Sequence, residues 1–385
     1  MRIHVVDPSA YTPPYDHALC RALGYAGADV ELYTSRFAYG AVPPAEEYVR
    51  REWFYRLGHR GSVVGRRSRG RVALKLVEHV PDMARYSRAA LGADVVHFQW
   101  LTVQPLDVHL LPRRRWTPLG VRPKLVLTAH DVMPREPRAG QLRAQRRLYE
   151  RFDAIVVHSE HGRTRLVDEL GVDRELVHVI PHGAFAHLAV GPVGPPPHEA
   201  AGPVALCFGL IRPYKGVDVL LEAWRGAGGE GIGIDEAELW SVGMPRGDLP
   251  TLLGGDPRSL AAIGVRLVAR FIPDSELPAY FHRADLVVLP YLQADQSGVL
   301  FTALAFGKPL LLSDVGGFPE IAATGAARTV PTGDPIALRV ALRELLGDPA
   351  ALAEMAACAR TAAAGPYSWE AVGRAHLELY GRLLA

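Results

Sequence analysis

The stretch from Pro290 to Glu320 constrains the fold of this chain more than any other. Before it, an apolar block rich in β-branched residues, Asp285–Leu289, predicts a buried strand that stops at the proline. A polar loop and a helical segment, Val299–Phe306, follow, and the next residue is a glycine, the type most often found just past a helix end. A second apolar strand over Pro309–Asp314 then leads into a Gly-Gly turn. This succession predicts a parallel α/β sheet, in which ligands bind outside the carboxyl ends of the strands.

The length of the chain and one segment of unusual composition predict two domains. At 385 residues the chain exceeds a typical single domain and fits two. Residues 186–203 are rich in Ala, Gly and Pro, a composition typical of a linker. We therefore expect a first domain over residues 1–185 and a second over residues 204–367. Strand and helix patterns alternate in both, which predicts parallel sheets with right-handed crossovers.

Cysteine usage and the lack of long apolar segments indicate a cytoplasmic protein. Cys20, Cys207 and Cys358 lie far apart with neither a pairing nor a metal-binding spacing, which favours reduced thiols. The first strand, which begins at Arg2, is too short and too soon charged for a signal peptide. No window approaches the ~18 apolar residues of a membrane span. There is no Asp-x-Asp and no His/Cys cluster, so we expect neither a metal nor another cofactor.

Charge is distributed unevenly, although the net value is only +2. Residues through Phe185 hold 28 Lys and Arg against 20 Asp and Glu, a surplus of +8, and the remainder holds 15 against 21, or −6. The near-neutral total and the lack of a recognised binding motif argue against a nucleic-acid partner. The basic first half instead suggests an anionic acceptor.

Arginines concentrate between Arg50 and Arg71, with Trp53, Phe54 and Tyr55 among them. Two interpretations stay open: a solvated loop and helix face, or a surface for an anionic acceptor or membrane. The stretch shows no clean apolar helical face, so we expect weak peripheral membrane contact at most.

Polar residues follow apolar strands at four places in the first half of the chain. The histidines at these strand ends are His97, His130, His158 and His182. A single such histidine is usually structural or solvated. Four of them, at the edge where α/β sheets build clefts, favour ligand contact for at least one or two.

Two cations stand just ahead of a predicted helix in the second half. Arg212 and Lys215 precede the helix that opens at Val217, so both charges can reach an anion drawn to the helix N-terminus. Further along, Ser297 and Gly298 open the central helix, where small residues let the backbone come close to phosphate oxygens.

Four blocks of the sequence resemble the retaining glycosyltransferases of family four, also described as glycosyl transferases group 1. The blocks are Phe208-Gly209-Leu-Ile-Arg212-Pro-Tyr-Lys215-Gly216, Ala284-Asp285-Leu-Val-Val-Leu-Pro290, Gly298…Ala303-x-Ala305-x-Gly307-x-Pro309 and Gly316-Gly317-x-x-Glu320. The resemblance covers nearly the whole chain. It implies the GT-B fold, with two Rossmann-like α/β domains that face each other across a cleft, and a C-terminal helix, residues 368–385, that crosses back to the first domain.

The same resemblance implies a site for a nucleoside diphosphate sugar. The lysine of the Lys-Gly pair, Lys215, would neutralise the diphosphate, with Arg212 in place of the arginine that the family carries where this chain has Leu210. His130, after a Thr-x-His strand end, would contact the donor. The residues expected to line the donor site are Gly209, Arg212, Lys215, Ser297, Gly298, Val299 and Thr302, and the expected catalytic residues are His130, Lys215 and Asp295. Gly316-Gly317 is equally compatible with a tight turn and with ligand contact.

The chain departs from the family pattern in two places. Ala294 and Thr302 stand where the family usually carries two glutamates, one near the reacting sugar and one on the ribose. Asp295 is the candidate replacement for the first, and Thr302 offers a single hydroxyl to a ribose. The first loop, often glycine-rich in the family, instead carries Tyr11, Tyr15 and Asp16.

Three functions are compatible with these residues. The first is a metal-independent retaining glycosyltransferase with an unidentified acceptor, in which the departing phosphate itself removes the acceptor proton, as is usually proposed for the family. The second is an inactive pseudo-enzyme or partner subunit that has lost the paired glutamates. The third is a sugar-nucleotide epimerase of the same fold, which would need carboxylate acid–base groups that the sequence does not place.

Overall fold

The computed structural model describes residues 1–37, 42–56, 69–112, 122–133, 140–190, 194–195, 198–229 and 231–385, and the backbone alone of residues 69–74. These residues divide into two compact units. The first unit comprises Met1–Pro181 and Trp369–Ala385, and the second comprises His182–Ser368.

A seven-stranded parallel sheet forms the centre of the first unit in the part of the chain that the structure describes. Its strands are β1 (Arg2–Asp7), β2 (Asp29–Ser35), β3 (Val49–Phe54), β4 (Val95–Phe98), β5 (Lys124–Thr128), β6 (Ala154–Val157) and β7 (Val177–Val179), in the spatial order β3-β2-β1-β4-β5-β6-β7. Its helices are α1 (Pro13–Tyr25), α2 (Arg69–Ala89), α3 (Gln104–Leu110), α4 (Gln141–Tyr149) and α5 (Glu160–Thr164). The inner strands are buried on both faces, as parallel sheets usually are.

The second unit is built on a six-stranded parallel sheet, counted over its described residues. The strands are β8 (Val204–Phe208), β9 (Glu238–Val242), β10 (Val265–Val268), β11 (Leu286–Leu289), β12 (Leu310–Ser313) and β13 (Ala327–Val330), in the order β10-β9-β8-β11-β12-β13. The helices are α6 (Ala186–Ala189), α7 (Val217–Arg225), α8 (Leu249–Leu253), α9 (Leu277–Arg283), α10 (Gly298–Ala305), α11 (Phe318–Ala322), α12 (Pro335–Leu346) and α13 (Pro349–Ala364).

The last helix, α14 (Trp369–Leu384), belongs to the first unit and packs on α1. Gly373 allows the close approach, because a Cβ atom there would lie 3.0 Å from Cβ of Ala22. Tyr380 is fully buried, and its hydroxyl lies 2.6 Å from Nδ1 of His97 on β4. The helix therefore contributes to the core of the first unit.

Between Arg50 and Arg71 the sequence-based interpretation is wrong in part, because residues 49–54 form the edge strand β3 rather than a loop. The alternation along β3 is weak: only Phe54 of its six residues is buried, which hides the usual signal of a strand. Phe54 and Tyr55 are core residues and are not available to a membrane. Residues 57–68, which include Arg60, Arg66 and Arg67, lie outside the described residues, and weak membrane contact stays a prediction.

Candidate active site

Each sheet reverses its strand order once, and this point marks the ligand-binding edge of a doubly wound sheet. In the second unit the chain leaves β8 toward β9 and β10 on one side and continues from β11 to β12 and β13 on the other. In the first unit the reversal lies between β1 and β4. The predicted site residues of the second unit follow β8 and β11, directly at its reversal.

Gly209 and Gly243 bring the ends of β8 and β9 into close contact. Gly209 has φ +114°, and a Cβ there would lie 3.2 Å from a methyl carbon of Val299 at the start of α10. Gly243 has φ +155°, and a Cβ there would lie 1.6 Å from the Gly209 carbonyl oxygen. Larger residues would push these loops apart, so both glycines are required by the backbone.

The loop after β8 is fixed against the loop after β11. Gly216 adopts the left-handed region at φ +63°, and a Cβ there would meet the Pro290 carbonyl oxygen at 2.0 Å. The Leu292 amide donates to the Tyr214 carbonyl at 2.8 Å. Lys215 lies between these two contacts, so its backbone position is determined from both sides.

The side chain of Lys215 rests on aromatic rings. Its ammonium nitrogen lies 3.6 Å from the centre of the Tyr291 ring and 5.4 Å from that of Tyr214. Tyr291 is 1% exposed, and its hydroxyl hydrogen-bonds the Ser297 hydroxyl at 3.0 Å. A cation over an aromatic face is stabilised by the quadrupole of the ring, more so where water is excluded. Lys215 is therefore held at the ligand-binding edge and connected through Tyr291 to the start of α10.

The start of α10 combines free backbone amides with small side chains. The first-turn amides, including those of Gly298 and Val299, have no partner within the helix and can donate to an anion. Thr302 is 6% exposed, and its hydroxyl donates to the Gly298 carbonyl at 2.9 Å. Its single donor is therefore already used by the helix backbone.

A second arginine, which the sequence analysis missed, accompanies Arg212. Arg246 follows β9, and its amide donates to the Ile211 carbonyl at 3.0 Å, next to Arg212 in the chain. The Nε atoms of Arg212 and Arg246 are both buried without a hydrogen-bond partner in the described part of the chain. Nothing in the local sequence marks Arg246, because only the pairing of the loops after β8 and β9 brings it to this edge.

Asp295 and the Gly-Gly turn contact each other through their backbones. Gly316 has φ +60°, and a Cβ there would lie 1.9 Å from the Ala294 carbonyl oxygen. The Gly317 amide donates to the Asp295 carbonyl at 3.3 Å. A tight turn with close backbone approach is sufficient to explain this glycine pair.

In the first unit, His130 lies in an aromatic setting at the end of β5. Its ring stacks on Trp100 with 5.0 Å between ring centres and 15° between planes, and it meets Tyr15 edge-on at 4.7 Å. Its Nδ1 lies 3.3 Å from Nε2 of His158, and its Nε2 lies 3.0 Å from the side-chain oxygen of Gln99. A cavity of about 40 Å³ adjoins these residues.

These contacts determine which ring nitrogen of His130 carries the proton. Burial lowers the pKa of His158 to about 4, so this ring is neutral, and its Nδ1 donates to the Ile180 carbonyl at 3.0 Å. Nε2 of His158 must then accept from Nδ1 of His130.

The other two histidines are placed differently. His97 is fully buried and bonds the hydroxyls of Tyr380 and Thr128 at 2.6 and 2.7 Å, so it is a core residue. His182 belongs to the second unit and stacks on Phe301 of α10 with ring centres 4.3 Å apart. Of the four histidines, the structure brings together only His130 and His158.

A pair of buried carboxyl groups occupies the strand reversal of the first unit. Asp7, at the end of β1, accepts from the amides of Ser9, Tyr11 and Thr12, and its carboxyl group hydrogen-bonds that of Asp16 on α1. Burial raises the pKa of both groups, and the charge of Asp7 raises that of Asp16 further. The two side chains therefore share a proton, with Asp16 as the protonated member.

The described residues contain no group of three or more His, Cys, Asp or Glu side chains that could hold a metal ion. Over the same residues, no helix is both long and apolar enough to cross a membrane. At this edge of the second unit, Lys215, Arg212 and Arg246 supply the positive charge that can bind an anion.

Comparisons with known proteins agree with the two-unit architecture. Residues 15–184 match the family model described as Glycosyltransferase Family 4, and residues 202–348 match that of Glycosyl transferases group 1. The D-inositol 3-phosphate glycosyltransferase of Kineococcus radiotolerans is 28% identical over 314 residues, which is 74% of this chain and 68% of that protein. D-inositol 3-phosphate glycosyltransferase 2 of Catenulispora acidiphila is 26% identical over 94% of this chain and 88% of its own.

Solved structures share the fold over essentially the full length. Sucrose-phosphate synthase from Thermosynechococcus elongatus superposes with a TM-score of 0.74 at 19% identity, covering 100% of this chain and 99% of that one. HepE of Anabaena in complex with UDP gives a TM-score of 0.70 at 19% identity, covering 99% and 100%. Two parallel Rossmann-like sheets in this order therefore form a GT-B fold, and the protein is a glycosyltransferase. More narrowly, it belongs to the family 4, group 1 glycosyltransferases.

Proposed function

We propose that this protein is a metal-independent, retaining glycosyltransferase that moves a sugar from a nucleoside diphosphate to a small phosphorylated polyol. The observation that carries the proposal is Lys215, whose ammonium is held on the Tyr291 ring at the strand reversal of the second unit. A pre-positioned cation at this edge serves the diphosphate, which gains negative charge as the sugar leaves.

The proposed diphosphate site combines three side chains and one helix start. Lys215, Arg212 and Arg246 supply the positive charge, and the first-turn amides of α10 at Gly298 and Val299 supply aligned donors. Gly209 and Ser297 complete its wall through the contacts described above. Three cations can neutralise a diphosphate in the role that a divalent ion plays elsewhere.

Retention is proposed because the residues fit a front-face displacement. The bond from the anomeric carbon to the phosphate oxygen breaks, the acceptor oxygen bonds the same face, and its proton passes to the departing phosphate. Such a step needs no strong protein base, which suits a chain with Ala294 and Thr302 at the family's glutamate positions. Asp295 and His130 are the proposed catalytic residues beside Lys215.

The proposed donor and acceptor classes draw on the similar proteins. HepE was solved with UDP and with UDP-glucose, so uridine is the nucleotide we propose to test first. The relatives named D-inositol 3-phosphate glycosyltransferases support a phosphorylated polyol as acceptor. The excess of positive charge through Phe185 is in keeping with an anionic acceptor. The free thiols of Cys20, Cys207 and Cys358 support the proposal of a cytoplasmic protein.

A nucleotide-binding subunit without transfer activity is the alternative. It is favoured by Thr302, whose hydroxyl is already bonded to the Gly298 carbonyl and whose position lacks a carboxylate. The two functions share nucleotide binding and differ only in turnover.

Calorimetry with UDP, GDP, ADP and dTDP in the presence of EDTA tests the proposal. We expect one nucleotide to bind, and Lys215→Ala to lose on the order of 1.5–3 kcal/mol of affinity, the scale of a charge-assisted hydrogen bond. Hydrolysis of a sugar donor that carries the nucleotide found to bind then separates an enzyme from a binding subunit. The diphosphate site would be contradicted if EDTA abolished nucleotide binding, or if Lys215→Ala left the nucleotide affinity unchanged.

A further inference from the structure

A second cavity, of about 240 Å³, lies within the first unit at the carboxyl ends of β2 and β3, where α1 begins. It is separate from the small cavity beside His130. Its polar lining residues are Asp16, Thr34, Ser35, Arg36, Arg50 and Glu52. Parallel α/β sheets bind ligands at this edge, and the volume suits a small metabolite rather than a large one.

The register of the two strands explains the charges in this cavity. Leu32 pairs with Arg50 and Thr34 with Glu52, so alternate residues of β3 place Arg50 and Glu52 on one face. Arg51 lies on the opposite face, where it forms a bidentate ion pair with Glu31. The ion pair between Arg51 and Glu31 therefore does not neutralise the charges of Arg50 and Glu52, which lie on the cavity face.

Partners within the chain account for only part of this charge. Arg50 donates to the Pro43 carbonyl and the Tyr48 hydroxyl, both neutral groups. Arg36 and Glu52 form no side-chain hydrogen bond or ion pair within the residues that the structure describes. Asp16 on the inner wall shares a proton with Asp7. Two guanidinium groups thus face one exposed carboxylate, which leaves a surplus of positive charge on the cavity wall.

We propose that this cavity binds the acceptor as a phosphomonoester of a small polyol, with the phosphate on Arg36 and Arg50 and a hydroxyl on Glu52. The inference rests on the proposed glycosyltransferase function and deepens it by giving the acceptor a location. Guanidinium groups bind phosphate through charge-assisted, often bidentate hydrogen bonds, and a carboxylate accepts from sugar hydroxyls. The rest of the lining is apolar and can pack against the carbon skeleton of the polyol: Ala10, Pro13, Leu32, Phe37 and Val42.

The test uses the full-length protein, UDP as donor-side probe, and inositol 3-phosphate, myo-inositol and inorganic phosphate as acceptor-side probes. Arg36→Leu is expected to weaken the binding of inositol 3-phosphate and of inorganic phosphate about tenfold, because one charge-assisted contact is lost. It should leave myo-inositol and UDP unchanged. Glu52→Gln is expected to reduce the affinities for myo-inositol and inositol 3-phosphate by the same factor and to leave the affinity for inorganic phosphate unchanged.

Arg151→Leu and Glu175→Gln, both exposed in the same unit, are the matched charge controls and should change nothing. Circular dichroism verifies that each variant is folded, and Arg50→Lys repeats the test with the charge retained. If Arg36→Leu binds inositol 3-phosphate as the wild type does, or if no acceptor probe binds while UDP does, the acceptor site is overturned and the donor proposal stands. If UDP itself fails to bind, the proposed glycosyltransferase function is contradicted before the acceptor site is tested.

Discussion

The ammonium nitrogen of Lys215 lies 3.6 Å from the centre of the buried Tyr291 ring, and the hydroxyl of that ring bonds Ser297 at the start of α10. One aromatic side chain thus positions both a cation and a helix N-terminus, the two features that bind phosphate. A lysine held in place before ligand arrives loses less conformational entropy on binding than a solvated one. Tyr291 is therefore a positioning residue for the proposed diphosphate site.

Tyr291→Leu and Tyr291→Phe separate the two roles of this ring. The leucine variant removes the aromatic face and is expected to lose about 1–2 kcal/mol of UDP affinity, the scale of a shielded cation–π contact. The phenylalanine variant keeps the face, loses only the bond to Ser297, and should lose less. Isothermal titration calorimetry with UDP measures both, and uridine, which lacks phosphate, serves as control. Equal losses in the two variants, or a loss for uridine, would show that the ring acts by another route.

Arg246 is expected to bind a phosphate together with Arg212. Arg246→Leu should reduce affinity about tenfold for UDP, by less for UMP and not at all for uridine, since its contact depends on phosphate. Arg258→Leu, an exposed arginine in the same unit, is the matched control. A loss that does not depend on the number of phosphates would mean that Arg246 supports the loop and not the ligand.

Thr302 tests whether the family's ribose position is still in use. Thr302→Val should leave UDP binding within about twofold, because the hydroxyl already donates to the Gly298 carbonyl. Thr302→Glu restores a carboxylate and is expected to raise UDP affinity if the ribose lies there. The gain should disappear with 2′,3′-dideoxy-UDP. Unchanged or weaker binding by the glutamate variant would show that this position no longer meets the ribose.

The second sheet was predictable because its strands are short apolar runs, each separated from the next by a helix or turn signal. The strand predicted over Asp285–Leu289 and the helix predicted over Val299–Phe306 are confirmed within one residue at each end. Gly209 and Gly316 were recognisable as glycines at turns, but not the carbonyl oxygens that require them. A family's sequence pattern predicts the order of the strands and helices, but it does not predict which backbone atoms come into close contact.

The remaining features depend on contacts between segments that are distant in the sequence. Strand β3 carries three consecutive charged residues on an exposed edge, so it lacks the apolar pattern of a strand. Arg246 is placed at the site by the hydrogen bond from its amide to the Ile211 carbonyl. The role of Tyr291 depends on the contact of its ring with the Lys215 ammonium. The proton shared by Asp7 and Asp16 likewise follows from burial, which no local pattern reports.

That shared proton makes the stability of the first unit depend on pH in a direction that can be tested. Because the folded pKa of Asp16 is raised, the native state keeps a proton that the unfolded chain has released, and its stabilisation is lost as pH rises through the folded pKa. Asp16→Asn supplies a permanent donor to Asp7. Measured by thermal denaturation, it should unfold like the wild type below the usual aspartate pKa of about 3.9 and at an increasingly higher temperature than the wild type as the pH rises above that value. Asp7→Asn, which disturbs the acceptor of three backbone amides, should cost about 1–3 kcal/mol at every pH. Parallel pH profiles for wild type and Asp16→Asn would contradict the shared proton.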